Sequence, residues 1–167
     1  LFRLVRVAAG LGICISLAAP AQAQYRTEFA AGWGDDQTHM ARLGLARDWE
    51  RAWFTDGDWQ LGGYWLAEIG YWNSDKGHSS NDDLWEVGLT PVLRFAPKSG
   101  EVRPYLEAGI GGHVLSETRI GPRELSTAWQ FGSHLGAGVR CGKFELGYRF
   151  QHLSNASIKK PNDGIDF

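Results

Sequence analysis

From Tyr25 onward, apolar and polar residues alternate with a period of two, as in β-strands whose successive side chains face opposite ways. Seven segments carry this alternation. Over 25–33, Tyr25, Thr27, Phe29, Ala31 and Trp33 oppose Arg26 and Glu28. Over about 39–53, Ala41, Leu43, Leu45 and Trp49 oppose Arg42, Asp48 and Glu50, with Arg47 an exception on the apolar face. Over about 58–73, Trp59, Leu61, Trp65, Ala67, Ile69 and Tyr71 oppose Gln60, Tyr64 and Glu68. Three more segments follow, at about 84–96, 102–115 and 128–141. In these, Glu86, Arg94, Glu107, His113, His134 and Arg140 hold the minor face. The seventh, 144–155, sets Phe144, Leu146, Tyr148, Phe150, His152 and Ser154 against Glu145, Gly147, Arg149, Gln151, Leu153 and Asn155.

Each minor face is charged, and the segments are long for a globular sheet. An eight-stranded barrel has an interior just wide enough to be filled by such side chains, while its apolar face meets lipid. Aromatic residues near segment ends, at Trp33, Trp49, Trp53, Trp59, Trp72, Trp85 and Trp129, fit interfacial girdles. Connections at 55–58, 96–101 and 140–143 are short, and those at 73–83 and 117–127 are long and polar, the asymmetry of outer-membrane barrels. The expected fold is therefore all-β, an eight-stranded antiparallel transmembrane β-barrel. Seven strands leave an open edge, which lipid does not tolerate. The eighth is expected to begin near Gly164, so the chain, ending at Phe167, reads as truncated within its last strand.

The N-terminal composition adds a compartment. Arg3 and Arg6 precede an apolar run over 7–19, and Ala21-Gln22-Ala23 forms a small-x-small site, a secretory leader pattern. Residues 1–23 read as a signal peptide and 24–167 as the barrel domain, the mature protein beginning at Gln24. Cys14 falls in the leader, leaving Cys141 alone and excluding an intramolecular disulfide. Loss of Arg3 and Arg6 moves the formal charge from −2 to −4, which argues against a nucleic-acid partner. No later run reaches the roughly 18 apolar residues of a membrane helix.

Candidate chemistry concentrates in the seventh segment, where parity puts His152 and Ser154 on the greasy face. A His-x-Ser pair on a strand is usually a surface polar pair. On a lipid face it is costly, which favours a functional role. The stretch His152-Leu153-Ser154-Asn155-Ala156, followed by Lys159-Lys160-Pro161-Asn162-Asp163-Gly164-Ile165-Asp166, resembles the C-terminal signature of PagL-type lipid A 3-O-deacylases. The runs Pro104 to Gly111, Leu43 to Trp49 and Gly63-Tyr64-Trp65 are similar to that family as well. The resemblance implies an esterase of the bacterial outer membrane. It would remove the ester-linked 3-hydroxyacyl chain at position 3 of lipid A in the outer leaflet, without a cofactor. Carried over, it assigns Ser154 as nucleophile, His152 as base, Asp166 as acid in place of the family's usual Glu, and Asn155 to the oxyanion hole. Lys159 and Lys160 are weaker candidates for contacts with the lipid A phosphates. Dimerisation is left open.

The residue chemistry points the same way. A neutral hydroxyl attacks an ester poorly unless a base takes its proton, and an imidazole needs an acid to fix its tautomer. Asp166, at the start of the next antiparallel strand, is expected within reach of His152 once the intervening loop has turned. Parity turns Asn155 to the opposite face. Neither a GxSxG elbow nor a metal-ligand set is present. His39 and His78 read as loop or interface residues, His113 and His134 as lumen residues, Cys141 as a small apolar side chain, and Gly109-Ile110-Gly111-Gly112 as close barrel packing. A non-enzymatic barrel acting through its loops is the alternative, and a membrane acyltransferase the third reading.

Overall fold

The structure, a computed structural model, describes residues 11–18, 25–76 and 81–167. Among them, eight strands form an antiparallel ring: β1 (Leu11–Ala18), β2 (Tyr25–Gly34), β3 (Thr38–Asp48), β4 (Trp59–Ser74), β5 (Asp83–Pro97), β6 (Val102–Leu115), β9 (Trp129–Cys141) and β10 (Phe144–Ser154). Between β6 and β9, β7 (Arg119–Ile120) and β8 (Arg123–Glu124) make a small hairpin. The short β11 (Ile165–Asp166) adds to β10. Each long strand pairs with its sequence neighbour in the ring, and β1 pairs with both β2 and β10. Among the described residues no helix is long and apolar enough to cross a membrane; the crossing elements are strands.

Seven of the ring strands fall where alternation places them, and the seventh segment matches β10 to within a residue. The second segment stops earlier than expected, at Asp48, after which Trp53 rejoins the sheet through a single bridge to Leu61. The eighth place also differs from expectation. Residues after Gly164 start it, pairing Ile165 with Leu153 and Asp166 with His152, and Phe167 exchanges backbone hydrogen bonds with Gln151. Below that point β1 occupies the same side of β10, with Ile13 opposite Tyr148 and Leu17 opposite Phe144. An apolar run long enough for a leader is also long enough for a lipid-facing strand. Arg3, Arg6, the Ala21-Gln22-Ala23 site and His78 lie outside the described residues.

The alternation sorts side chains as a lipid-facing barrel requires. Phe29, Leu43, Leu89, Leu106, Ile110, Leu135 and Leu146 are exposed outward. Glu28, Arg42, Glu68, Glu86, Glu107, Glu145 and Arg149 are buried within. Isolated buried charges are very costly, so they survive only as hydrogen-bonded pairs. Arg42 forks onto Glu86 at 2.8 Å, Arg149 bridges Glu28 at 2.8 Å and Glu107 at 2.9 Å, and Arg94 joins Glu107 and Glu145 at 2.8 and 2.9 Å. Both His113 and His134 lie in this lumen, with His113 Nδ1 2.6 Å from Glu86.

Trp72 corrects the girdle expectation. It shares the parity of Tyr64 and Glu68, is 1 % exposed, and its indole N–H donates to Glu86 at 2.6 Å. Trp33, Trp59, Trp85 and Trp129 do face outward, each at least 40 % exposed. Above the charged layer, Met40, Trp72, Leu84, Leu115, Leu153, Ile165 and Phe167 form an apolar plug into which the loop residues Ile120 and Leu125 insert. Full burial of each of these two stabilises the 116–128 loop by about 2 kcal/mol, tying the outer loops to the barrel rim.

Candidate active site

β10 reaches the rim that carries the long connections, and its last turns present His152 and Ser154 outward, each part-exposed. Antiparallel pairing sets Asp166 directly across from His152, and His152 Nδ1 lies 2.6 Å from Asp166 Oδ1. The other side of the ring leans over Gly164, where an added Cβ would meet His152 Cε1 at 3.0 Å and Nε2 at 3.6 Å. The base therefore holds the acid at Nδ1, and the Cε1–Nε2 edge of its ring lies against Gly164. Gly164 adopts φ +63°, a conformation that costs a residue with a Cβ about 1–2 kcal/mol.

The acid is placed by what its neighbours do. Ile165 and Phe167 point inward, 1 % and 2 % exposed, which turns Asp166 outward on a strand of period two. Phe167 packs edge-on against Trp72 at 4.5 Å and beneath the Arg42 guanidinium at 4.6 Å. Arg123 clamps the approach to this strand. It donates to Gly164 O at 2.6 Å and forms ion pairs with Asp35 at 3.1 Å and Asp36 at 2.9 Å. Asp163 Oδ2 accepts the Glu124 N–H at 2.8 Å, completing the link between the β7–β8 hairpin and the 155–164 loop. Lys76 donates to Asp36 at 2.8 Å, and that bond first of all holds the Asp36 carboxyl below its ordinary value.

Asn155 follows its parity and is fully buried. Its amide donates to Leu125 O and Lys159 O, both at 2.9 Å, and its backbone N–H donates to Asn162 Oδ1 at 3.1 Å. Ala156 and Ser157 next to it have positive φ, and Ile158 N–H closes the turn on Asn155 O at 3.1 Å. Lys159 and Lys160 are exposed in the same loop. The structure thus brings His152 and Asp166 into contact, sets Ser154 two residues along the same outward face of β10, and turns the Asn155 amide into the loop. Gly164, Arg123 and Phe167 went unremarked as site residues in the sequence. Gly164 alone had a local signal, the Asn-Asp-Gly turn. Among the described residues no group of three or more His, Cys, Asp or Glu is disposed to hold a metal.

An apolar groove of about 690 Å³ starts at His152 and runs over the outer surface. It follows two adjacent cross-strand rows. One passes from His152 to Ser133, Ile110, Pro91 and Trp65; the other passes from Phe150 to Leu135, Ala108, Leu93 and Gly63. Small side chains at Ser133, Pro91 and Ala108 lie among the larger Phe150, Leu135, Ile110 and Leu93. The rows cross β10 near its outer end, and the first meets β3 at Arg47, one residue from that strand's opposite end. The groove therefore descends from the outer rim into the depth of the membrane. A second cavity, about 200 Å³, lies at the far end of the lumen among Arg26, Tyr64, Arg94 and Arg140, away from His152 and Ser154.

Comparison with known proteins accords with this geometry. The profile of the family described as "Lipid A 3-O-deacylase (PagL)" matches residues 38–167. The chain is 35 % identical over 149 residues to lipid A deacylase PagL of Pseudomonas aeruginosa, covering 87 % of this chain and 84 % of that protein. It is 39 % identical over 115 residues to lipid A deacylase PagL of Bordetella bronchiseptica, covering 64 % and 62 % respectively. A crystal structure of the outer membrane enzyme PagL superimposes with a TM-score of 0.73 at 28 % identity, over 95 % of this chain and 93 % of that one. An outward-facing His–acid pair on a barrel of this topology, together with a match over most of the chain, places the protein in the PagL family of outer-membrane lipid A 3-O-deacylases.

Proposed function

We propose that this esterase hydrolyses the 3-hydroxyacyl ester at position 3 of lipid A through Ser154, His152 and Asp166. The observation that carries the assignment is the 2.6 Å contact between His152 Nδ1 and Asp166 on a lipid-facing surface. An ionised Asp166 accepts the Nδ1 proton, which leaves Nε2 as the acceptor for the Ser154 hydroxyl. Attack by Ser154 on the ester carbonyl forms an acyl-enzyme and releases the sugar hydroxyl, protonated by His152. Water activated by the same imidazole then frees the fatty acid. Asp166 is one methylene shorter than Glu, and the direct cross-strand pairing with His152 compensates for the lost reach.

Asn155 supports the oxyanion site by fixing the turn after Ser154, where the backbone N–H groups of Ala156 and Ser157 leave the sheet ladder. Donors fixed where negative charge develops need no reorganisation during the reaction. Lys159 and Lys160, exposed at the level of the lipid headgroups, are charge partners for the phosphates of lipid A. The departing acyl chain occupies the groove below His152, so the substrate is taken sideways from the outer leaflet.

A fluorophosphonate tests the nucleophile directly. Purified protein should carry one adduct on the peptide containing Ser154, and none after Ser154→Ala; His152→Ala should suppress labelling while leaving Ser154 in place. An adduct elsewhere, or equal labelling without His152, contradicts the assignment.

A further inference from the structure

We infer that Trp49 and Trp53 form an end wall that sets the longest acyl chain the enzyme accepts, an inference that rests on the proposed deacylation. From His152 the groove crosses β9, β6 and β5 and meets these indoles beside β4. The two rows cover four strand spacings, about 19 Å along the surface. Up to that point the path is kept open by Ser133, Ala108 and Pro91, and beyond it two rings stand in the way.

The wall is built to stay where it is. The Trp49 backbone N–H donates to Gly63 O at 2.8 Å, and the indole lies against Gly63, where an added Cβ would come within 2.2 Å of Cζ3. Gly63 is thus the notch that lets a large ring sit close to the sheet at the groove's end. Trp53 is pinned by reciprocal backbone bonds with Leu61, at 2.8 and 2.9 Å. The two rings meet edge-on at 6.2 Å, and Trp65 abuts Trp49 at 6.3 Å. A wall held by backbone bonds and ring packing resists a longer chain, whereas a single mobile side chain would yield to it. Each methylene that lacks room is discriminated against about tenfold or more in an apolar pocket.

The test is a competition among lipid A species that differ only in the length of the position-3 acyl chain, with purified protein and mass-spectrometric detection of each released acid. Trp53→Ala should raise the rate on a chain two methylenes too long, relative to the preferred chain, by about tenfold or more. Ala108→Phe, which fills the groove midway, should move the preference to shorter chains. Trp53→Leu provides the same reading if the alanine variant fails to give the heat-modifiable band of a folded barrel. Wild-type length profiles in folded Trp53→Leu and Ala108→Phe would overturn the end wall alone. Failure of the unaltered protein to release any acid would overturn the deacylase reading itself.

Discussion

A serine hydroxyl becomes a useful nucleophile only when an oriented base can take its proton, and in the proposed mechanism the orientation comes from one carboxylate, Asp166. Asp166→Asn should leave the barrel folded and lower the release rate about 10⁴-fold, the scale set by loss of the correct imidazole tautomer. Asp166→Glu should retain or raise activity, since the family acid is usually Glu; release rates of the purified variants check both. Gly164→Ala adds a Cβ at φ +63° and against the His152 ring. It should cost about 1–2 kcal/mol of stability and reduce activity further than that loss explains, measured by melting and turnover on the same sample. The shared outward face of His152 and Ser154 was legible because parity and an i, i+2 spacing are local. Asp166 was legible because the next antiparallel strand must pass beside its predecessor. The crowding of His152 by Gly164 was not, because it depends on how closely the returning strand approaches the ring.

At the scale of elements, the outer connections act as a brace for the short strand β11. Arg123 joins Asp35 and Asp36 of one connection to Gly164 O of another, and no sequence period relates residues in three separate loops. Arg123→Ala should lower turnover about 10–100-fold by misplacing Asp166, with protease sensitivity appearing at 116–128 while the barrel band on a gel is unchanged. The Asp36 carboxyl is depressed chiefly by the Lys76 hydrogen bond. Its contribution to this brace is therefore complete above its ordinary value of 3.8 and lost as pH falls through the depressed folded value. Protease sensitivity of the loops should rise across that acidic window and not between pH 5 and 8. The strands themselves were legible from alternation. Trp72 was misplaced because closeness to a segment end suggested a girdle, whereas its parity with Glu68 put it inside. The early end of β3 was hidden because Trp49 continues the alternation in sequence while its ring folds over Gly63.

At the scale of the whole molecule, charge pairs fill the middle of the lumen and the proposed chemistry is on the outside, so the substrate never needs to enter the barrel. The ring of strands was legible; the filling of its eighth place was not, because one apolar run fits both a leader and a lipid-facing strand. We propose that the leader is removed after Ala23. N-terminal sequencing of protein from the outer membrane should then begin at Gln24, and a start before Leu11 would show that β1 is retained in the mature barrel. The most direct test of the central claim is the mass spectrum of lipid A from Gram-negative cells producing this protein, beside cells producing its Ser154→Ala variant. Loss of one ester-linked 3-hydroxyacyl group from position 3, absent with the variant, is the expected outcome. Unchanged lipid A with a folded, heat-modifiable barrel in the outer membrane would contradict it.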